Sequence, residues 1–385
     1  MKTTSGVTHR AARGAFDVVV VGAGPAGAAT AIALAQRGLT AAIVEPSAAP
    51  VLRAGETVSP AVRAPLEALG VWEAFAGDGH DPAAGNRAHW GSPEAGEMHF
   101  IASPYRSGWH IDRRRFETML LGAARARGVT IFHGHQLEAV SEGGDGWTVR
   151  IPGVLRARFL VDASGRASAL APICGVDRVS IDRLVGATMF LQARERSSRR
   201  RADPDGLFTV VEATQDGWWY SAPLPQGRLV VACMTDADIA TRVALRDADG
   251  WLAQARGTRA TIDRIASYVL HGTPRLAPAN TSRLSSVVGP SWLAVGDAAV
   301  SFDPLSSQGI VTALECAVDA AGAIGQHLCG HRSALPAYAL RITKVYRKYL
   351  VERAQYYGAE RRWSTSAFWQ RRQAHIEVLN HATAS

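Results

Sequence analysis

The chain has 385 residues, of which 47% are hydrophobic and 20% are charged, a composition that predicts a globular protein with two connected domains. Its net charge of +8 comes from arginines dispersed along the chain, a distribution that argues against nucleic-acid binding. The lack of a long apolar run argues against a membrane span, and the wide spacing of the cysteines predicts neither a metal site nor a disulfide framework.

The chain opens with a polar tail that is followed by a strand, a helix and a second strand. Residues 1–14 lack the apolar stretch of a signal peptide, so we expect a flexible tail and a cytoplasmic protein. Residues 16–22 are apolar and rich in valine, which predicts a strand buried on both faces. The alanine-rich stretch that ends at Gly38 predicts a helix, and residues 40–44 predict a second strand that leads to Glu45.

The turn between the first strand and the helix, GAGPAG, predicts a dinucleotide-binding site. Gly22 permits the tight turn, Gly24 lets the backbone approach a pyrophosphate, and Gly27 allows the helix to pack closely on the strand. An acid about twenty residues further on can accept hydrogen bonds from a ribose. A glutamate at this place, rather than an arginine, favours FAD or NAD over NADP. The predicted contacts are Gly22, Gly24, Pro25, Ala26, Gly27 and Glu45.

Four later segments carry further motifs in a fixed order. RAGETVSP begins at Arg53, GWHIDRRRF at Gly108, FLVDASGR at Phe159 and WLAVGDAAVSFDPLSSQG at Trp292. In the last of them a predicted strand ends at a Gly-Asp pair, and the chain then turns through a proline into a predicted helix. The free N–H groups at the start of such a helix carry partial positive charge and can stabilise a reduced, anionic flavin.

Together these segments resemble the superfamily of FAD-dependent enzymes that includes para-hydroxybenzoate hydroxylase and the tryptophan halogenases. The resemblance implies an α/β fold: a Rossmann-like, three-layer FAD-binding domain, an inserted antiparallel-sheet substrate domain and a C-terminal helical segment. It also implies that Asp297 binds the ribityl chain of FAD, and we expect this aspartate to be buried after its strand, where it needs such a partner. The further FAD contacts that it implies are Glu56, Thr57, Arg113, Asp162, Gly165, Gly296, Pro304, Gln308, Gly309 and Ile310.

Because the flavin motifs are scattered, the FAD-binding domain is expected to be discontinuous. We assign residues 15–75, 105–170 and 286–330 to it, residues 76–104 and 171–285 to the substrate domain, and residues 331–385 to the helical segment. Short alternating strands in the longer insertion predict an antiparallel sheet that lies over the flavin. We expect the two pieces of the substrate domain to form opposite walls of one pocket.

Aromatic side chains are the main candidates for the substrate pocket, because they bind planar substrates and exclude water. His110 is a candidate base or hydrogen-bond donor, as is His89. Trp90 and Trp219 are further candidates for the pocket lining. The residues predicted to act in catalysis or to line the reacting centre are Trp109, His110, Trp218, Tyr220, Pro304, Ser306 and Ser307.

GWWYSAPLP, which begins at Gly217, and the aromatic C-terminal segment resemble a narrower group, the flavoprotein monooxygenases that mature quinone-cofactor enzymes. This group includes the lysine oxidase maturation flavoprotein and the quinohemoprotein amine dehydrogenase maturation monooxygenase. The resemblance implies hydroxylation of an electron-rich aromatic, indole or phenol-like, that is free or borne by a peptide, through a flavin C4a-hydroperoxide. Such an enzyme uses O2 and takes electrons from NAD(P)H or from a partner flavin reductase.

Two other activities of the superfamily remain open. Halogenases carry GWxWxIP, from which this chain departs at Tyr220 and Ala222, and they use a lysine that captures hypohalous acid. No lysine occurs between residues 3 and 343, and arginine cannot replace it because the guanidinium stays protonated. A reductase of the geranylgeranyl type would need a long apolar channel, whereas residues 171–285 are rich in arginine.

Overall fold

The structure, a computed structural model, describes residues 12–49, 57–194 and 206–374. Glu56, a predicted FAD contact, lies outside these residues, as does most of the predicted N-terminal tail. The first strand begins at Ala12, which pairs with Gly153 of a neighbouring strand. Residues 12–14 therefore belong to a sheet and not to the tail to which the sequence assigned them.

The described residues form two large sheets, two small sheets and the helices that cover them. None of these helices is long and apolar enough to cross a membrane. Residues 367–374 are also helical. The strands are β1 (Ala12–Val21), β2 (Ala41–Glu45), β3 (Thr57–Val58), β4 (Asp81–Ala83), β5 (Gly85–His89), β6 (Gly96–His99), β7 (Gly108–His110), β8 (Thr130–His133), β9 (Ala139–Gly143), β10 (Gly146–Ile151), β11 (Gly153–Asp162), β12 (Arg178–Ser180), β13 (Leu184–Ala193), β14 (Phe208–Thr214), β15 (Gly217–Leu224), β16 (Arg228–Asp236), β17 (Tyr268–Val269), β18 (Arg275–Pro278), β19 (Ser282–Leu284), β20 (Trp292–Ala294) and β21 (Val300–Ser301). The helices are α1 (Pro25–Ala35), α2 (Arg63–Ala68), α3 (Trp72–Ala76), α4 (Arg113–Ala126), α5 (Ala237–Arg242), α6 (Ala248–Ala255), α7 (Ala260–Ile265), α8 (Gly309–Leu328) and α9 (Ala334–Ala359).

The first large sheet is the Rossmann-like layer that the sequence predicted. Its strand order is β8-β2-β1-β11-β10-β9, and β20 pairs with the end of β11. Strands β1, β2, β8, β11 and β20 are parallel to one another. Strand β10 is antiparallel to both of its neighbours, β11 and β9. Val18, Val19 and Val20 have no exposed surface, because both faces of a central parallel strand are covered. Helix α1 packs against α4 and α8.

The second large sheet contains the strands predicted for the substrate domain. Its order is β17-β13-β16-β15-β14-β5-β6, with β18 beside β13. Neighbouring strands are antiparallel except for β14 and β5, which are parallel. Strand β5 comes from the shorter insertion and β14 from the longer one. The expectation that the two insertions form opposite walls is therefore wrong, because backbone hydrogen bonds join them side by side in one sheet.

Successive side chains of β15 lie on opposite faces of the second sheet. Trp219 lies on the outer face, where it packs against Trp251 of α6 at 4.9 Å between ring centroids. Trp218 and Tyr220 lie on the inner face, together with Val211 and Met234. The inner face is turned towards the proline-containing flavin motif and the C-terminal residues, since Leu305 and Trp369 belong to the same apolar cluster.

We expect Trp219→Ala to lower the free energy of unfolding by about 3–5 kcal/mol, because it leaves a cavity under α6. FAD binding to the folded fraction should persist, since this side chain lies on the outer face. Urea unfolding followed by far-ultraviolet circular dichroism measures the loss. Ile101→Ala serves as the control, because Ile101 is 74% exposed and its truncation should change stability by less than about 0.5 kcal/mol. Equal effects of the two substitutions would contradict the assigned packing.

Candidate flavin and substrate site

The predicted nucleotide-binding residues meet at one edge of the first sheet. Val21 at the end of β1 pairs with Val44 on one side and with Asp162 on the other. Asp162 in turn pairs with Ala294 at the end of β20. Since these strands are parallel, the turns that follow them emerge at the same carboxyl edge, which is where open α/β sheets bind ligands.

The glycine turn has the close packing that a dinucleotide site requires. Gly22 has a φ of +108°, and a Cβ atom there would lie 2.3 Å from the carbonyl oxygen of Ala163. A Cβ atom on Gly27 would lie 2.0 Å from the carbonyl oxygen of Gly22. Within the part of the chain that the structure describes, no atom beyond the neighbouring residues lies within 4 Å of the corresponding position on Gly24, which directly precedes α1. The open side of this turn thus faces a helix N-terminus that can receive a phosphate group.

Glu45 lies beside the glycine turn, as predicted from its position after β2. Its two carboxylate oxygens accept hydrogen bonds from the backbone N–H groups of Ala23 and Ser47, each at 2.9 Å. These bonds fix the side chain at the carboxyl edge, where it remains partly exposed. The contact between Glu45 and a ribose remains a prediction.

The second flavin motif contacts the first one at Gly296. This residue has a φ of +56°, and a Cβ atom there would lie 2.7 Å from the Cβ of Ala26 at the start of α1. The next residue, Asp297, is not buried as expected: 43% of its side chain is exposed, and its carboxylate lies 3.5 Å from Nε of Arg166. The tight packing stops at Gly296, so the aspartate points away from the core and is open to a ligand.

An arginine that sequence reasoning missed holds the backbone after Asp297. Arg178 of β12 donates to the carbonyl oxygen of Asp297 at 2.7 Å and to Oγ of Ser301 at 2.6 Å. It also donates to the carbonyl oxygen of Ala298 and to Oγ of Ser168. Burial and the neighbouring Arg166 guanidinium lower the pKa of Arg178. No sequence motif surrounds Arg178, so only the folded chain reveals its role.

Asp162 has a structural position rather than one open to a cofactor. Its side chain has no exposed surface. One carboxylate oxygen accepts from the N–H and hydroxyl groups of Ser164, and the other accepts from the N–H of Leu170 at 2.8 Å. Burial raises the pKa of this carboxyl group. The predicted contact with FAD does not fit this geometry, whereas Gly165 in the same turn is open, with no atom within 4 Å of its Cβ position.

The chain between Asp303 and α8 contains several further residues that are predicted to contact the flavin. Asp303 caps a 3-10 turn, since its carboxylate accepts from the N–H of Leu305 at 3.0 Å. Ser307 follows with a φ of +50°, and α8 begins at Gly309, as the motif predicts. Pro304 and Gly309 are exposed, and the residues that are partly buried are Leu305, Ser306, Ser307, Gln308 and Ile310.

Arg113 begins α4 and is largely buried. Its guanidinium forms an ion pair with Glu117 at 2.6 Å. The predicted contact between Arg113 and FAD remains a prediction.

Four polar side chains meet where the substrate sheet contacts β3 and β7, and we call them the hydroxyl cluster: Thr57, His110, Thr209 and Tyr220. Oγ1 of Thr57 lies 2.9 Å from Oγ1 of Thr209, 3.1 Å from Nδ1 of His110 and 3.4 Å from the hydroxyl oxygen of Tyr220. Tyr220 is partly exposed, whereas the other three are buried. The structure thus brings together three residues that the sequence analysis singled out for separate reasons.

His110 supports this cluster and does not serve as a base. Its side chain has no exposed surface. Burial, together with the positive charge of Arg264, lowers the pKa of His110 to about 3, so the imidazole is neutral at physiological pH. A buried neutral ring bonded to Thr57 cannot touch the substrate, but it can hold the threonine in place.

Two predicted pocket tryptophans, Trp109 and Trp218, pack against other aromatic residues. Trp109 alternates with His110 along β7 and packs on the other side, against Trp72 and Phe75 at 5.4 and 5.5 Å between ring centroids. Trp218 lies on the same face as Tyr220, but it has no exposed surface because the C-terminal residues cover it. Trp218 is enclosed and the partly exposed Trp109 lies on the other side of β7, so of these three aromatic residues Tyr220 is the one that this geometry favours.

Residues 15–353 match the model of the FAD binding domain family. The chain belongs to this family. It is 31% identical to the putative FAD-dependent oxidoreductase LodB of Marinomonas mediterranea, over 96% of this chain and 99% of that protein. Among solved structures, the myxobacterial chondrochloren halogenase CndH gives a TM-score of 0.84 at 25% identity, over 96% of this chain and 89% of that one. The peptidyl tryptophan dihydroxylase QhpG gives a TM-score of 0.73 at 26% identity, over 93% of this chain and 78% of that one.

These similarities confirm the predicted superfamily and fold, and they make the protein an FAD-dependent oxidoreductase. The carboxyl edge fits that cofactor. A turn that only glycine can form opens onto the start of α1, which suits a pyrophosphate. The exposed carboxylate of Asp297 and the start of α8 lie close to this turn, and their contacts with the ribityl chain and ring system of FAD remain predictions.

We expect Gly296→Ala to weaken FAD binding by about tenfold or more, because the added methyl group would push Ala26 away from the second motif. Fluorescence titration of the apoprotein with FAD measures the affinity. The matched control is Gly38→Ala, since Gly38 has a φ of +75° with no atom within 4 Å of the Cβ position. Both variants carry the cost of a left-handed alanine, about 1 kcal/mol, and only the first adds a clash. Equal affinities in the two variants would refute the role of the contact.

The buried His110 should make stability depend on pH. Because its pKa in the folded state is about 3, below the ordinary value of 6.5, the unfolded chain takes up a proton first as the pH falls. The contribution is complete above about pH 6.5 and is lost progressively towards about pH 3. We expect His110→Gln to flatten the decline of the unfolding free energy between these values by up to about 1.4 kcal/mol per pH unit.

Urea unfolding of this variant at several pH values, beside the parent protein, measures that difference in slope. Thr57→Val is the control: it removes the hydrogen bond to the imidazole but keeps the titrating ring, so stability should fall with little change of slope. Parallel curves for the parent and His110→Gln would show that the fold does not keep His110 neutral.

Proposed function

We propose that this flavoenzyme is a monooxygenase that hydroxylates an electron-rich aromatic ring, an indole or a phenol, either free or borne by a peptide. The proposal rests on the side chains around Tyr220 on the inner face of the second sheet, which we call the substrate wall. Tyr220 is partly exposed, its hydroxyl belongs to the hydroxyl cluster, and it shares an apolar cluster with Leu305 and with Val211, its cross-strand partner. Such a wall suits a planar ring with one polar group.

Bound and reduced FAD supplies the activation of O2 in this family of reactions. The side chains of the chain then have to hold the ring, exclude water and keep the polar edge of the substrate in one orientation. Tyr220 can donate or accept a hydrogen bond at that edge, and Thr57 orients its hydroxyl. Attack on an electron-rich ring needs little proton transfer from the protein, so the lack of an accessible base in the hydroxyl cluster is compatible with hydroxylation.

The likeness to a peptidyl tryptophan dihydroxylase supports a tryptophan side chain within a polypeptide as the substrate class. The likeness over nearly the whole chain to a putative FAD-dependent oxidoreductase of similar length is in keeping with this choice. O2 is the proposed co-substrate. The electrons come from NAD(P)H or from a partner flavin reductase.

Halogenation is the second candidate, because the halogenase CndH has the same fold at 25% identity. The position of the lysines argues against it. Among the described residues, the lysines are Lys344 and Lys348, and both are exposed on α9. Lys348 is 78% exposed and pairs with Glu352 at 3.7 Å, whereas a lysine that passes an oxidised halide to a substrate would be needed beside Tyr220.

The test is to reduce the holoprotein without oxygen and mix it with oxygen-18-labelled O2 and a tryptophan-containing peptide, in the presence of chloride and bromide. Mass spectrometry of the peptide should show a gain of labelled oxygen and no halogen. Rapid-mixing absorbance should show a transient band before oxidised FAD returns. Halogen in the product would favour the second candidate. Direct return of oxidised FAD with unchanged peptides and free indoles would favour a reductase.

We expect Tyr220→Phe to retain FAD and to lower kcat/KM for the aromatic substrate by about tenfold, because the variant loses one orienting hydrogen bond. More of the consumed O2 should appear as hydrogen peroxide. The control is Tyr105→Phe, since Tyr105 is 37% exposed and lies outside the hydroxyl cluster. A normal ratio of product to consumed O2 in Tyr220→Phe would remove this residue from the substrate site.

A further inference from the structure

One face of α9 holds the chain segment that leads into α8. Tyr349, Glu352, Arg353 and Tyr357 lie on this face, because residues three, four and eight positions apart in a helix share a side. We call residues 303–309 the flavin loop, since they contain the part of the second motif that leads through Pro304 into α8. The four side chains contact it at both ends.

Three of these contacts converge on Asp303, which is 1% exposed. Its carboxylate accepts a hydrogen bond from the hydroxyl of Tyr357 at 2.6 Å, and its backbone N–H donates to the hydroxyl oxygen of Tyr349 at 2.9 Å. Arg353 lies 3.7 Å from the same carboxylate and forms a second ion pair with Asp182 at 3.0 Å. A buried charge held in this way has a fixed position, since any movement would break several bonds at once.

The other end of the flavin loop is held by Glu352. Its carboxylate accepts a hydrogen bond from Nε2 of Gln308 at 2.6 Å, directly before α8 begins. Asp303 is itself the cap of the 3-10 turn between these two points. The loop is therefore tied to α9 before and after the residues that face the flavin.

The same tyrosine also contacts the substrate sheet. Nε1 of Trp218 donates a hydrogen bond to the hydroxyl oxygen of Tyr357 at 3.1 Å. Trp218, Tyr357 and Asp303 thus form a continuous buried chain of hydrogen bonds from β15 to the flavin loop, and none of the three side chains is more than 1% exposed. Trp218 and Tyr220 project from the same face of β15, two residues apart.

We infer that Tyr357 is a positioning residue that sets the flavin loop through Asp303 and couples it to the substrate sheet through Trp218. The first part of the inference rests on FAD binding alone. Only the coupling to substrate rests on the proposed function. The loop determines where the N–H groups at the start of α8 lie, and these groups favour the reduced, anionic flavin over the oxidised form.

The test compares Tyr357→Phe with the matched control Tyr356→Phe in the full-length holoprotein. Tyr356 is the neighbouring tyrosine on α9 and is 46% exposed. We expect the dissociation constant of oxidised FAD to rise about tenfold in Tyr357→Phe and to stay unchanged in the control. The preference for reduced over oxidised FAD should fall by a further factor of about ten, which lowers the two-electron potential by about 30 mV.

A double-substitution cycle tests whether the effect passes through Asp303. If it does, Tyr357→Phe added to Asp303→Asn should weaken FAD binding no further than Asp303→Asn alone. Additive losses, or a folded Tyr357→Phe with the affinity and potential of the control, would overturn the inference. If Tyr357→Phe does not fold, Glu352→Gln tests the other end of the loop, where a smaller shift of potential in the same direction is expected and no shift would overturn the role of α9.

These readouts need neither a substrate nor oxygenation, so they fail or succeed independently of the proposed reaction. The coupling is tested by the shift in potential that the aromatic substrate causes. We expect the parent and the Tyr356→Phe control to show such a shift and Tyr357→Phe to lose it. An equal shift in all three proteins would overturn the coupling while leaving the positioning of the loop intact.

Discussion

The contact between Gly296 and Ala26 governs the geometry of the flavin site. It lies between the second residue of α1 and the turn that follows β20, and it also borders Ala313 in α8. Because every residue in this contact is small, the two helices can approach each other closely. The N-termini of both helices then lie at one edge of the sheet. A larger residue at any of these positions would separate the two halves of a site that must bind a single continuous cofactor.

Because this contact brings the N-termini of α1 and α8 to one edge of the sheet, it also places their partial positive charges there. Helix N-termini present partial positive charge, and Arg166 and Arg178 add two guanidinium groups around the backbone between Asp297 and Phe302. The two acidic residues near these guanidinium groups differ in exposure. Asp162 is enclosed and holds a turn, whereas Asp297 is open. A cofactor with a pyrophosphate and a reducible ring suits such an edge, since its pyrophosphate is negatively charged and its ring system gains negative charge on reduction.

Sequence reasoning found the parts of this arrangement that depend on local chain geometry. The glycine turn, the first two strands and the start of α8 follow from neighbouring residues, so a short motif predicts them. Sequence reasoning failed where contacts between distant segments determine the environment of a residue. Asp162 and Trp218 were assigned to ligands, but packing encloses them. Arg178 and Tyr357 were not singled out, because their partners Asp297 and Asp303 lie 119 and 54 positions away in the sequence. Parallel pairing of β5 with β14 could not be inferred either, since alternation predicts strands but not their neighbours.

That parallel pair also bears on how the protein folds. Strands β5 and β14 are joined by hydrogen bonds, yet the chain between them contains α4 as well as β8 and β11 of the other sheet. Closing the substrate sheet therefore requires a pairing of long sequence separation, and such pairings form slowly. Neither layer corresponds to a continuous stretch of chain that could be excised or exchanged between relatives. Exchange of a long segment between relatives would disturb both layers at once, whereas substitution of side chains within the sheet leaves the pairing of its strands unchanged.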